Sequence, residues 1–155
     1  MADNKNEYSK IAEGIYDRHM DTVYSVCFMY MKNKHDTEDA VGNTFLKLLE
    51  KKKTFDSEEH ERAWLIRVAI NICKNTITHW SRKSIDISDL PLQSEEVRND
   101  VLRQVLELPE ELKVPVYLHY YAGYSSKEIG RLLGIADSSV RSRLLKARKL
   151  LEKVL

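Results

Sequence analysis

The string SSKEIGRLLGIADSSVRSRLLKARKLLEKV, Ser125 to Val154, limits the fold more tightly than any other stretch of the chain. Ser125 with Glu128 three residues later is a capping-box pair, which satisfies free backbone donors where a helix begins. Ile129, Leu132 and Leu133 share one face of that helix, and Gly134 supplies the permissive backbone of a sharp turn. Gly130 is small where a following helix must cross closely. In the second helix Val140, Leu144, Ala147 and Leu151 recur at three- and four-residue steps as a buried stripe. Outward positions carry Arg141, Arg143, Lys146, Arg148 and Lys149, with Ser138, Ser139 and Ser142 towards the start. That pattern sets short polar groups against base edges in a major groove and cations against phosphates. A merely solvated helical hairpin would share the charge. It would lack the turn signal and a basic run in which Glu152 is the one acid after Asp137.

Composition narrows the class. A chain of 155 residues holds one domain or two small ones, and 43% hydrophobic residues suffice for compact cores. Few glycines and prolines favour helices, and a charged fraction of 32% fits a soluble protein. No apolar run approaches a membrane span and the polar start MADNKNEYSK is no signal peptide, so a cytoplasmic location is expected. Cys27 and Cys73 lie in apolar helical patterns and read as buried free thiols.

The net charge of +1 hides a segregation. Arg62 to Lys83 holds five cations and no acid; Ile85 to Leu112 holds eight acids and two arginines; Ser138 to Lys149 again holds five cations and no acid. Two cationic surfaces separated by an acidic stretch suit a protein that touches DNA twice.

Periodicity predicts helices over Tyr8–His19, Asp21–Met31 and Asp36–Lys51, and a long one from Arg62 to Trp80. Ile11, Ile15 and Tyr16 are expected to face inward on the first. Ala40, Val41, Phe45, Leu48 and Leu49 are expected to do so on the third. SRKSIDISDLPLQSEE reads as a linker, with helices resuming near Glu95. Pro109 is expected to open a helix, and Pro115 to kink it or delay its regular start. The Tyr117, Leu118, Tyr120, Tyr121 cluster is expected to pack against the helix-turn-helix.

The segment Arg62–Lys83 combines an apolar face with Arg67, Asn71, Lys74, Asn75, His79, Arg82 and Lys83. Asn71 and Asn75 stand one helical turn apart and share a face. Asn can pair with a base edge, cations can hold phosphates, and Phe55 in the preceding loop can stack on an exposed base. A basic amphipathic helix with no ligand fits this segment alone equally well.

Taken in order, DTEDAVGNTFLKLLE, AWLIRVAINICKN and LPEELKVPVYLHYYAGYSSKEIGRLLGIADSSVRSRLLKARKLL resemble a bacterial RNA polymerase sigma factor. The resemblance is to the short extracytoplasmic-function (ECF) branch of the sigma-70 family, and it runs from Tyr8 to Leu151. It implies an all-α protein of two small helical domains joined by a flexible linker: residues 8–83 (region 2), 84–94 (linker) and 95–155 (region 4). Region 2 would bind the clamp helices of the largest polymerase subunit through the Asp36–Lys51 helix, with Asp36, Asp39, Asn43 and Phe45 on it. The loop from Lys53 to His60, with Phe55, would capture an extruded base of the melted -10 element. Arg67, Asn71, Lys74 and Asn75 fall on the family's -10 helix, and Arg82 and Lys83 follow. Region 4 would meet the upstream-face flap and read the -35 element as duplex through Arg141, Ser142, Leu145 and Lys146. Ser138 and Ser139 stand at the start of that helix, with Arg143 and Arg148 as phosphate or packing contacts. The implied partners are core RNA polymerase, promoter DNA and an anti-sigma factor. No cofactor, metal or catalytic residue is implied.

Two departures stand out. Gly42 and Asn43 replace the family's usual Gln and frequent Glu, and Gly in a helix interior costs about 1 kcal/mol. Ala136 stands where a capping Ser is common, so Asp137 or Ser138 is expected to take over the cap. Other classes fit less well. The five histidines form no metal-binding spacing and read as surface or partly buried residues, and Asp36, Glu38 and Asp39 read as acids at a helix start. A regulator using the helix-turn-helix without polymerase would ordinarily dimerise, and no dimerisation helix is evident.

Overall fold

In the computed structural model residues 2–78 and 100–153 are described, and all of their regular structure is helical. The chain separates into two compact units, Met1–Met31 with His35–Lys83 and Lys32–Lys34 with Ser84–Leu155.

The first unit is built on α1 (Ala2–Met31), α2 (Lys34–Lys51) and α3 (Glu58–Ile77). Where the sequence suggests two helices broken near Met20, α1 runs unbroken for 30 residues. The reason lies in its seam. Tyr8, Ala12, Ile15, His19, Val23, Val26 and Cys27 are all buried, at the three- and four-residue steps of a single helical face. His19 takes the seam position that looks polar in sequence, so the stripe never lapses. α1 packs along α3, whose own stripe is Leu65, Ile66, Ala69, Ile70 and Cys73. Cys27 and Cys73 are buried thiols outside any disulfide.

α2 meets α1 through side chains. Phe45 packs edge-on against Tyr16 with centroids 4.8 Å apart, and the Tyr8 hydroxyl reaches the Leu48 carbonyl at 3.0 Å. Three residues expected inside are outside: Ile11 is 51%, Tyr16 42% and Leu49 44% exposed. On α1 the buried stripe joins Tyr8 and Ala12 to the expected Ile15, and on α2 Ala40, Val41, Phe45 and Leu48 are buried as expected, with Thr37 and Thr44 added to that face. The two threonines are buried because small hydroxyls need little room; Thr44 Oγ1 bonds the Ala40 carbonyl at 2.8 Å.

α3 begins earlier than Arg62. Ser57 is its N-cap in extended conformation, accepting the His60 N–H at 3.1 Å. The acids Glu58, Glu59 and Glu61 therefore lie in its first turn, where they complement the free N–H groups.

The second unit carries α4 (Asp100–Glu107), α5 (Glu110–Val116), a π-helical turn (Tyr117–Tyr121), α6 (Ser126–Leu133) and α7 (Asp137–Glu152). The expected linker 84–94 and the helix start near Glu95 lie outside the described residues. Pro109 caps α5 from just outside it, and α5 runs through Pro115 instead of starting after it. The irregularity falls in the following turn, where Ala122 donates to the Tyr117 carbonyl at 3.0 Å, five residues back. Of the tyrosine cluster only part is internal. Tyr117 and Leu118 are buried, whereas Tyr120 is 61% and Tyr121 40% exposed.

α5 and α6 both pack on α7, around Leu118, Ile129, Val140 and Ala147. Gly130 is required by this packing: a Cβ there would lie 2.8 Å from the Ile135 carbonyl oxygen and 3.5 Å from the Asp137 nitrogen. Gly42 is different, since a Cβ on it meets nothing within 4 Å. Opposite outcomes follow in urea unfolding. Gly130→Ala should lose about 1–3 kcal/mol through overpacking, whereas Gly42→Ala should gain about 1 kcal/mol of helix propensity.

Candidate nucleic-acid interfaces

On the second unit the helix-turn-helix is set by its ends. Ser125 Oγ accepts the Glu128 N–H at 3.1 Å, and the Glu128 carboxylate accepts the Ser125 N–H at 3.1 Å. The capping box anticipated from two residues is thus complete. Gly134 ends α6 in the left-handed region at φ 71°, and the Ile135 N–H returns to the Gly130 carbonyl at 2.9 Å. The cap of α7 differs from expectation. Ala136 itself is the N-cap, with no side-chain bond, so neither Asp137 nor Ser138 takes the position over.

Asp137 instead enters the first turn and holds Arg141, Oδ2 to Nη1 at 2.6 Å. The Ser126 hydroxyl first, and then the Arg141 guanidinium, keep the Asp137 carboxyl below the usual carboxylate range against a cost of desolvation. Oδ1 is shielded from solvent and lacks a well-aligned hydrogen-bond partner.

Ser138, Arg141, Ser142, Leu145, Lys146, Arg148 and Lys149 are exposed along α7, while Ser139 and Arg143 are half-buried at its flanks. Arg143 therefore borders the packed side, and Lys149 is outward as expected. Leu145 is 54% exposed, an apolar group in the middle of a polar surface. Arg148 is drawn to Glu152 at 3.4 Å.

On the first unit a short loop joins α2 to α3. Phe55 is half-buried in it, edge-on to His60 at 5.2 Å and tilted against Trp64 at 5.7 Å. From this aromatic corner an exposed stripe continues along α3 through Arg67, Asn71, Lys74 and Asn75. His60, Trp64, Arg67, Asn71 and then Lys74 with Asn75 follow helical spacing, so corner and stripe share one face. Arg82 and Lys83 lie outside the described residues.

On α2 Asp39 and Asn43 are exposed and Asp36 is half-buried. Phe45 is buried under Tyr16, which makes it a support of that helix and not part of its outer surface. The outer surface holds instead Leu46, 50% exposed, and Leu49.

The family model for Sigma-70 region 2 matches residues 15–83, and that for Sigma-70, region 4 matches residues 98–151. The ECF RNA polymerase sigma factor SigW of Bacillus subtilis is 25% identical, over 91% of this chain and 87% of its own. The ECF RNA polymerase sigma-E factor of Haemophilus influenzae is 24% identical, over 89% and 84%. The chain belongs to the sigma-70 family, in its ECF branch. Two solved structures share the fold. CnrH, in complex with the cytosolic domain of CnrY, superimposes with a TM-score of 0.69 at 20% identity, covering 99% of this chain and 92% of its own. The sigma factor RpoE of Bartonella quintana, in complex with the anti-sigma factor NepR, gives 0.63 at 17% identity, over 99% and 96%.

Within this sigma factor one group was not legible in sequence. Arg18 Nη2 binds both carboxylate oxygens of Glu61 at 3.0 Å, Arg18 Nε adds 3.2 Å, and His19 Nε2 meets Oε1 at 3.0 Å. His19 is thus fully internal, not partly exposed. The only signal was its place in the α1 seam. Ligand atoms of His35, Asp36 and Asp39 gather within 4.8 Å of one another on the exposed start of α2. Acids at a helix start account for that arrangement without an ion.

Carboxyl NMR titration tests the α7 assignment. Asp137 should titrate below the ordinary aspartate range, and Ser126→Ala and Arg141→Ala should each raise its midpoint. The stabilisation it gives should be complete above the ordinary aspartate pKa and be lost as pH falls through the lowered one.

Proposed function

We propose that this sigma factor binds core RNA polymerase and directs initiation by reading promoter DNA twice, as -35 duplex with α7 and as melted -10 strand with the α2–α3 loop and α3. The observation that carries the reading is the pairing of two unlike surfaces. One is a helix-turn-helix with serines, Arg141 and Leu145 outward; the other is an aromatic corner heading a stripe of Asn and cations. A duplex reader needs groove-sized polar contacts, whereas a strand reader needs a ring to stack on.

Arg141 is the group placed for a base edge, oriented by Asp137, and Leu145 offers an apolar contact for a thymine methyl. Lys146, Arg148 and Lys149 suit phosphates, and each such contact should add about 0.9 to the salt slope of duplex binding. On α3, Asn71 and Asn75 suit base edges, with Arg67 and Lys74 on the backbone.

Opening needs no covalent step. A protein that binds the melted strand better than the duplex shifts the equilibrium by that difference. One stacked base contributes about 1–3 kcal/mol, and unstacking DNA costs about 1.4 kcal/mol per step. A single captured base therefore offsets one or two steps: it nucleates melting, which the polymerase must extend.

The exposed start of α2 and its leucines support docking on the polymerase clamp, with Asp36, Asp39 and Asn43 at the surface. The two structural relatives were each solved with a partner, and an anti-sigma factor is proposed for this chain as well.

Run-off transcription with permanganate footprinting separates the two surfaces. Arg141→Ala with Lys146→Ala should weaken use of promoters that depend on the -35 element by about tenfold or more, as for one lost base contact. Asn71→Ala should impair opening more than initial binding. Unchanged start-site use by both variants would remove the residue assignments, and tight duplex binding without polymerase would favour an independent regulator.

A further inference from the structure

We propose that α1 is a splint for the base-reading loop, with Tyr8 and Glu61 as positioning residues that fix its two ends. This rests on the reading of the α2–α3 loop as the -10 reader. The loop, residues 52–57, has a tether at each end. At the first, the Tyr8 hydroxyl lies 2.8 Å from the Lys53 carbonyl oxygen and 3.0 Å from that of Leu48. It thereby bridges the last turn of α2 and the first residues of the loop. At the second, Ser57 caps α3 and Glu61 is gripped by Arg18 and His19.

Both tethers come from one helix. Tyr8 and Arg18 are ten residues apart, about 15 Å along a continuous α-helix. The distance between the loop's anchors is therefore set by a rigid rod. A break at Met20 would leave the seam, and the His19 grip within it, unsupported.

The second tether is strongly determined. The Glu61 side chain is 12% exposed and that of His19 8%. A carboxylate so shielded is held by its partners, because release would leave a desolvated charge. The two-pronged guanidinium contact also fixes direction as well as distance. Glu61 is one residue past His60 and one turn before Trp64 and Leu65, so the clamp sets the rotation at which His60 and Trp64 meet Phe55. Tyr8 is buried, and Glu61 is turned to Arg18 and His19 and is not on the exposed stripe. Both act through the loop and touch no base.

The test uses the full chain bound to core polymerase and two randomised libraries. In one, a duplex upstream element is followed by a single-stranded -10 segment with all four bases at each position; in the other, the upstream duplex is randomised. Bound molecules are sequenced, and thermal unfolding monitors folding of each variant. Wild type should prefer one base at one single-stranded position by roughly tenfold, the scale of one base-edge contact made by the base that the ring holds. Tyr8→Phe and Glu61→Gln should each reduce that preference about fivefold, the scale of one net hydrogen bond, with duplex preference unchanged. Tyr8→Phe keeps the buried ring and so carries the test if Glu61→Gln does not fold. Base preference at the wild-type level in Tyr8→Phe, or preference lost equally in both libraries, would overturn the proposal. A wild type with no preference in the single-stranded library would overturn the reading of the loop, and this inference with it.

Discussion

A largely shielded carboxylate and the helix that pairs with it organise the first unit. Glu61 sits where α3 starts, and Arg18 and His19 come to it from the middle of α1. Were that charge unpaired, its desolvation would work against the packing of α1 on α3, and the aromatic corner at the head of α3 would lose its frame. Because the pairing is satisfied, the apolar seam of α1 passes through a histidine without interruption. The same contact thus holds a core together and aims a surface.

The second unit depends on a different constraint, the approach of backbone to backbone at Gly130. No side chain fits between α6 and the Ile135–Asp137 turn, and the left-handed Gly134 brings the chain back at that distance. α7 then presents a fixed face whose first turn contains its own charge pair, Asp137 with Arg141. In isolation an exposed pair of this kind contributes little stability. Its use is directional, since it restrains a long side chain on the face that would meet DNA.

How much of this was legible in the sequence depended on whether the deciding interaction was local. The helix-turn-helix was legible because Ser125, Glu128, Gly130 and Gly134 act within a few residues of one another. The long α1 was not, because the residue at the middle of its seam is a histidine whose partner lies 42 positions away. Leu49 was assigned inward and Leu46 went unremarked for a related reason. On α2 the buried face takes in two threonines and ends at Leu48, so Leu49, one residue on, faces out. Phe45, expected on the polymerase-facing helix, supports that helix from below. The cap at Ala136 was misjudged because side-chain capping is favourable but not obligatory where the turn is already fixed by glycines. Of the candidate sites, the composition of both surfaces was readable, but the aromatic corner of Phe55, His60 and Trp64 became visible only once α3 was seen to begin at Glu58.

Site-specific photocrosslinking most directly tests the claim that two units of one chain read duplex and melted strand separately. A photoreactive residue at Phe55 and another at Leu145 would be introduced in turn, and the crosslinks mapped in an open complex with core polymerase. Phe55 should mark one base of a single melted strand in the -10 element, and Leu145 should mark duplex upstream at the -35 element. Crosslinks from both positions to the same duplex segment, formed equally well without polymerase, would contradict it.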